Sequence, residues 1–88
     1  MTCRVELKPS VLETLAKIPL THRKRIGKKI DRLADNPRPR RVEKLSGEKN
    51  LYRIRSGDYR IIYEIRDKSL LVLVVRLGQR GDVYRHLP

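Results

Sequence analysis

The stretch LYRIRSGDYRIIYEI, residues 51–65, decides how this chain folds. Apolar and polar residues alternate on either side of Ser56-Gly57-Asp58, the period-two pattern of two strands joined by a tight turn. Successive strand side chains point to opposite faces. Tyr52 and Ile54 therefore share one side of the first strand, and Leu51, Arg53 and Arg55 the other. In the second strand Tyr59, Ile61, Tyr63 and Ile65 share a face, against Asp58, Arg60, Ile62 and Glu64. Burying both apolar rows together fixes the parity of the loop. A two-residue turn at Ser56-Gly57 meets that condition, and it sets Arg53 opposite Arg60, Arg55 opposite Asp58 and Leu51 opposite Ile62.

Outward from this hairpin, LLVLVV (residues 70–75) reads as a central strand buried on both faces, entered through a turn at Asp67-Lys68-Ser69. Strands are predicted at about 51–55, 58–66 and 69–77. Upstream, NPRPRRVEK (residues 36–44) is a proline-punctuated connection without a period. Before it, Ile26, Ile30, Leu33 and Ala34 recur at helical spacing in a helix of about 21–35 that Thr21 can cap. Pro19 separates this helix from an earlier one of about 10–18, which carries Val11, Leu12, Leu15, Ala16 and Ile18 and opens on a capping box, Ser10 and Glu13. CRVEL, residues 3–7, alternates as a short strand. The order β-α-α-β-β-β predicts an α+β fold in one domain, 1–88: an N-terminal strand and a two-helix hairpin packed on a small antiparallel sheet, with a short C-terminal strand at DVYRH.

Charge narrows the function. Lys and Arg number 22 against 10 acidic residues, a net charge of +12 in 88 residues. Such an excess opposes compaction by self-repulsion and attracts polyanions, so a nucleic-acid or ribonucleoprotein surface is expected. A strongly acidic protein partner and an anionic membrane surface are the competing readings. The single cysteine, Cys3, rules out an intrachain disulfide and suits a reducing compartment. No apolar run approaches the roughly 20 residues of a membrane span, so a cytoplasmic protein is expected. Part of the positive charge lies on the second helix and the connection after it: Arg23, Lys24, Lys28, Lys29, Arg32, Arg38, Arg40 and Arg41 are candidate contacts to the backbone of ribosomal RNA.

The arginines of the hairpin ask for a ligand. Like charges directly opposed across two strands cost up to about 1 kcal/mol, and the expected register assigns Arg53 and Arg60 no carboxylate. A phosphate is a fitting partner, because the planar guanidinium donates two parallel hydrogen bonds and keeps its charge at physiological pH. Arg55 belongs to the same cluster, and Arg80, between Gly78 and Gly81, sits on a bend that can turn it toward the sheet. His22 and His86 lie far apart and Cys3 has no partner motif, so no metal or other cofactor is expected. Chemistry would then rest on Arg, Tyr and His. RNA permits this, since its 2′-hydroxyl is a built-in nucleophile. Tyr84 could take that proton as a phenolate if surrounding cations lower its reference pKa of about 10; His86 is a rival base.

These residues carry a family likeness. The first strand, the two helices, the connection ending in Leu45-Ser46-Gly47, then YRIRSGDYRIIYEI, LLVLVV and RLGQRGDVYR resemble the RelE/ParE superfamily of type II toxin–antitoxin toxins, and its RelE-like messenger-RNA interferase branch in particular. The resemblance implies a ribosome-dependent endonuclease that cuts mRNA in the decoding site without a metal, leaving a 2′,3′-cyclic phosphate and a 5′-hydroxyl. It implies Tyr84 as general base, Arg60 and Arg53 on the pentacoordinate phosphate, Arg80 at the leaving oxygen, and Arg55 orienting the message. The partners it implies are the small ribosomal subunit, mRNA, and a cognate acidic antitoxin through which the complex reaches operator DNA. Family members often carry lysine at the positions of Arg53 and Arg55; arginine keeps the charge there but gives up no proton. The alternatives are a gyrase-inhibiting toxin of the ParE branch and a non-catalytic RNA- or ribosome-binding module.

Overall fold

A computed structural model describes residues 2–45 and 50–79. Its elements are β1 (Arg4–Leu7), α1 (Pro9–Lys17), α2 (Leu20–Arg32), β2 (Glu43–Lys44), β3 (Leu51–Ser56), β4 (Tyr59–Arg66) and β5 (Leu71–Gln79), with one 3-10 turn over Asp67–Ser69. The strands form one sheet in the order β1-β5-β4-β3-β2. All pairings are antiparallel except that β1 lies parallel to β5. This is the expected α+β architecture, with the two-residue strand β2 added inside the proline-rich connection. The expected C-terminal strand at DVYRH, and with it Arg80, Tyr84 and His86, lies outside the described residues.

Both helices cover one face of the sheet. Val11 and Ile18 from the first helical segment and Ile26, Ile30 and Leu33 from the second pack on Tyr52, Ile54, Ile61, Tyr63, Ile65, Val72, Val74 and Leu77. Pro9 starts α1 rather than preceding it: proline suits a helix's first position, where its missing N–H would have no partner anyway. Ser10 is thereby moved inside the first turn, and neither helix has the side-chain cap expected of Ser10 or Thr21. Leu12 and Ala16, grouped with the apolar spacing of the first helix, are exposed.

The hairpin register corrects the sequence reading. The turn residues are Gly57-Asp58, so Arg55 opposes Arg60, Arg53 opposes Ile62 and Leu51 opposes Glu64. Arg53 does not face Arg60, and Arg55 does not pair with Asp58. The reason is local. Gly57 adopts φ +61° at the first central position, which a type II′ turn reserves for glycine. A turn at Ser56-Gly57 would put serine there. The shift is by two residues, so the facing was read correctly: Tyr52 opposes Tyr63 and Ile54 opposes Ile61, all toward the helices.

A second irregularity lies between β4 and β5. Ile62 pairs with Arg76 and Tyr63 with Val74, leaving Val75 as an extra residue, a β-bulge. Strict alternation would have carried Arg76 to the helix face with Val72 and Val74. The bulge instead sends Leu77 into the core and leaves Arg76 on the opposite face beside Ile62.

The connection after α2 is fastened to the sheet. Arg38 donates Nη1 and Nη2 to the two carboxylate oxygens of Asp67 at 3.1 and 2.9 Å, and its Nε to the Tyr52 hydroxyl at 3.3 Å. The guanidinium carbon lies 5.3 Å from the Tyr52 ring centroid. Next to it, the Tyr63 hydroxyl donates to the Pro37 carbonyl at 2.7 Å. The Arg38 fork holds the Asp67 carboxyl below the usual carboxylate range, and burial pushes the Tyr63 phenol above its ordinary value.

Candidate functional site

The face of the sheet turned away from the helices has a floor and two unlike halves. The floor is a small apolar cluster in which buried Leu51 and Ile62 are joined by Leu45 and Val75. On the half nearer the β4–β5 turn, charges balance locally: Arg4 pairs with Glu6 at 2.7 Å, and Arg66 with Glu64. On the half nearer the hairpin turn stand Arg53 and Arg55 from β3, Arg60 from β4 and Arg76 from β5. Among the described residues, Glu43 of β2 is ion-paired to Arg53.

The register sets their spacing. Arg55 and Arg60 are directly opposed, Arg60 also faces Gly78 on β5, and Ile62 lies between Arg53 and Arg76. Arg53 is the diagonal neighbour of Arg60, a separation of about 7–8 Å that long side chains can bridge. Gly78 has no side chain to stand in the way beside Arg60. Arg60 is only 9% exposed, and no ion pair joins it to a carboxylate among the described residues. The opposed cation pair inferred from the sequence thus exists, but it is Arg55 with Arg60. Over an apolar floor the local dielectric is lowered, which raises both the mutual repulsion of these groups and their attraction for an anion.

The basic residues of α2 and the connection divide into groups. Lys29, Arg40 and Arg41 line a cleft at the β3 edge together with Glu43, Arg53 and Arg55. Lys29 also donates its Nζ to the Arg55 carbonyl, and with Arg32, Arg40 and Arg41 it borders an adjoining, more apolar cleft. Lys24 and Lys28 are exposed on α2. Two of the expected contacts are turned to other partners: Arg38 to Asp67, and Arg23, whose Nε donates to the Ile18 carbonyl at 3.3 Å.

Against known proteins, a family model described as the ParE toxin of the type II toxin–antitoxin system parDE matches residues 5–84. The chain belongs to the RelE/ParE superfamily of toxins. The mRNA interferase toxin RelE of Escherichia coli K12 is 32% identical over 77 residues, spanning 83% of this chain and 80% of its own. Among solved structures, the archaeal RelE–RelB complex from Pyrococcus horikoshii OT3 holds a chain with a TM-score of 0.83 at 37% identity, covering 93% of this chain and 99% of that one. The isolated E. coli RelE toxin gives a TM-score of 0.78 at 28% identity, covering 93% and 90%. RelE-type proteins predominate among these relatives of the RelE/ParE chain.

For this RelE/ParE toxin the described part of the site holds one residue that sequence reasoning missed. Arg76 joins the arginine half only because of the bulge at Val75. The signal available was weak: in LVLVVRL an arginine at even spacing from Val72 and Val74 contradicts a strict two-residue period, and a bulge resolves such a contradiction.

Proposed function

We propose that this chain is a ribosome-dependent endoribonuclease that cleaves mRNA in the decoding site, restrained by a cognate acidic antitoxin. The observation that carries the reading is the opposed pair Arg55 and Arg60 on the outer face of the sheet, with Arg60 almost buried and joined to no carboxylate by an ion pair among the described residues. A phosphodiester placed against this pair supplies negative charge that offsets their mutual repulsion. Guanidinium groups fixed on strands lose little freedom on meeting it, so they favour the doubly charged, five-coordinate phosphorus over the ground state.

In the reaction, the RNA 2′-oxygen bonds to the adjacent phosphorus and the bond from phosphorus to the 5′-oxygen breaks. A 2′,3′-cyclic phosphate and a 5′-hydroxyl result. Tyr84, as the phenolate, takes the 2′-hydroxyl proton. Arg60 and Arg53 hold the equatorial oxygens; Arg53 exchanges Glu43 for phosphate as it does so. Arg80 acts at the leaving oxygen through a relayed donor, and Arg55 orients the strand. No step needs a metal. Lys24, Lys28 and Arg32 contact the ribosomal RNA backbone, an attraction that falls steeply with salt.

The kinship with RelE of the RelE–RelB complexes supports the antitoxin partner. The description of the matching family model favours one second reading, a ParE-type inhibitor of DNA gyrase. Toeprinting of a message on translating ribosomes separates the two. Cleavage between codon positions supports the nuclease; an intact message with accumulating gyrase–DNA cleavage complexes supports the inhibitor.

A further inference from the structure

The cleft at the β3 edge opens directly beside the arginine half-face. It encloses about 560 Å³ and is lined by Lys29, Arg40, Arg41, Arg53 and Arg55, with Glu43 as its acidic residue. Arg53 and Arg55 therefore belong to two surfaces at once, the outer face of the sheet and the wall of the cleft. Strand β2 pairs with Tyr52 and Arg53, so it does not cover β3 at Arg55, and the cleft reaches Arg55. Arg40 and Arg41 follow immediately on the Pro37–Arg38 fastening, which fixes the stretch of chain that bears them across from Lys29.

We propose that this cleft seats backbone phosphates next to the scissile one, so that a single RNA strand runs from Arg60 across Arg55 and Arg53 into the cleft toward Arg40, Arg41 and Lys29. The inference rests on the ribonuclease reading of the arginine face and extends it to a binding track. Among the described lining residues five cations stand with Glu43, which is ion-paired to Arg53, and this excess of positive charge suits a polyanion. The concave shape favours a single strand: its phosphates can enter a cleft of this volume, which lies in the range of small-ligand sites. A duplex, convex and stiff, would touch only the rim. Adjacent strands lie about 4.8 Å apart, so the step from Arg60 on β4 past β3 into the cleft is short enough for neighbouring phosphates of one extended strand.

The test uses the full-length protein and fluorescent oligouridylates of two to twelve nucleotides, read by anisotropy over a salt series. For the parent protein, affinity should climb with length and level off once the oligomer spans both surfaces. In the Arg40→Ala/Arg41→Ala double variant it should level off at a shorter length. Long oligomers should bind about tenfold more weakly, and the salt slope should shrink by about 1.4, or ~0.7 for each lost phosphate contact. Arg40→Lys/Arg41→Lys should restore most of the loss, which separates lost charge from lost folding. An unchanged length dependence in the alanine variant overturns the track. So does loss of oligoglutamate binding with RNA binding intact, which assigns the cleft to an acidic polypeptide. Failure of the ribonuclease reading looks different: no message is cut on ribosomes, although long oligomers still depend on Arg40 and Arg41.

Discussion

Replacing Arg60 by methionine should make the protein more stable and inactive at once. Arg60 is 9% exposed and directly opposite Arg55. Methionine retains an unbranched stem over the sheet and removes the guanidinium. Relief of the opposed like charges is worth a few tenths to about 1 kcal/mol. For a domain of this size 1 kcal/mol moves the melting midpoint by roughly 4–8 °C, so Arg60→Met should melt about 2–6 °C higher in low-salt buffer. The gain should shrink as salt screens the repulsion in the parent protein. Loss of a preorganised donor to the transition-state phosphate should lower cleavage by about 10²–10³-fold. Thermal melts followed by circular dichroism, with and without a long oligouridylate, give a third sign: the ligand should raise the parent's midpoint more than the variant's, by mass action on the folded state. A variant that melts lower than its parent at low salt would show that Arg60 stabilises the fold through its charge. A variant that cuts at the parental rate would remove Arg60 from the phosphate site.

Three further outcomes are expected. Tyr63→Phe removes the hydroxyl that donates to the Pro37 carbonyl and should cost about 0.5–1.5 kcal/mol in a urea titration. Because the folded phenol titrates above its ordinary value, the parent has this contribution in full below about pH 10 and loses it as pH rises toward the folded value; the Phe variant should show a shallower alkaline decline. Asp67 has the opposite sign: its carboxyl is lowered by the Arg38 fork, so its contribution is present above the ordinary carboxylate value and is lost as pH falls through the lower folded one. Urea midpoints from pH 5 to pH 2 should fall less steeply for Asp67→Asn than for its parent. Glu43→Gln frees Arg53 from its carboxylate partner and should tighten oligouridylate binding several-fold with a steeper salt slope; weaker binding would mean that Glu43 is needed to hold Arg53 in place.

The hairpin shows how far the sequence could be read. Alternation in Tyr52–Ile65 placed the side chains of β3 and β4 on their observed faces, because burial of the two apolar rows tolerates only even shifts of register. It did not choose between even shifts. That choice rests on which residue takes the positive φ of the turn, and Gly57 fits the first central position better than the second. Arg76 was hidden for a different reason: a bulge is an interruption of the period from which facing is inferred. Arg38 reads from the sequence as one more RNA-contacting cation of RPRR, and only the folded chain brings Asp67 and Tyr52 to it from residues far away in sequence. The basic cleft is likewise tertiary, since α2, the connection and β3 each contribute part of its wall. Composition announced the positive charge; the sheet decided which part of it is gathered on one face.

Cleavage of a defined message on purified translating ribosomes by the parent, Arg60→Ala and Tyr84→Phe proteins tests the central claim most directly. The parent should cut between codon positions and leave 2′,3′-cyclic phosphate ends, while both variants still co-sediment with ribosomes and leave the message whole. Equal cutting by all three proteins, or an intact message with the parent itself, would contradict an arginine-held phosphate attacked with the help of Tyr84.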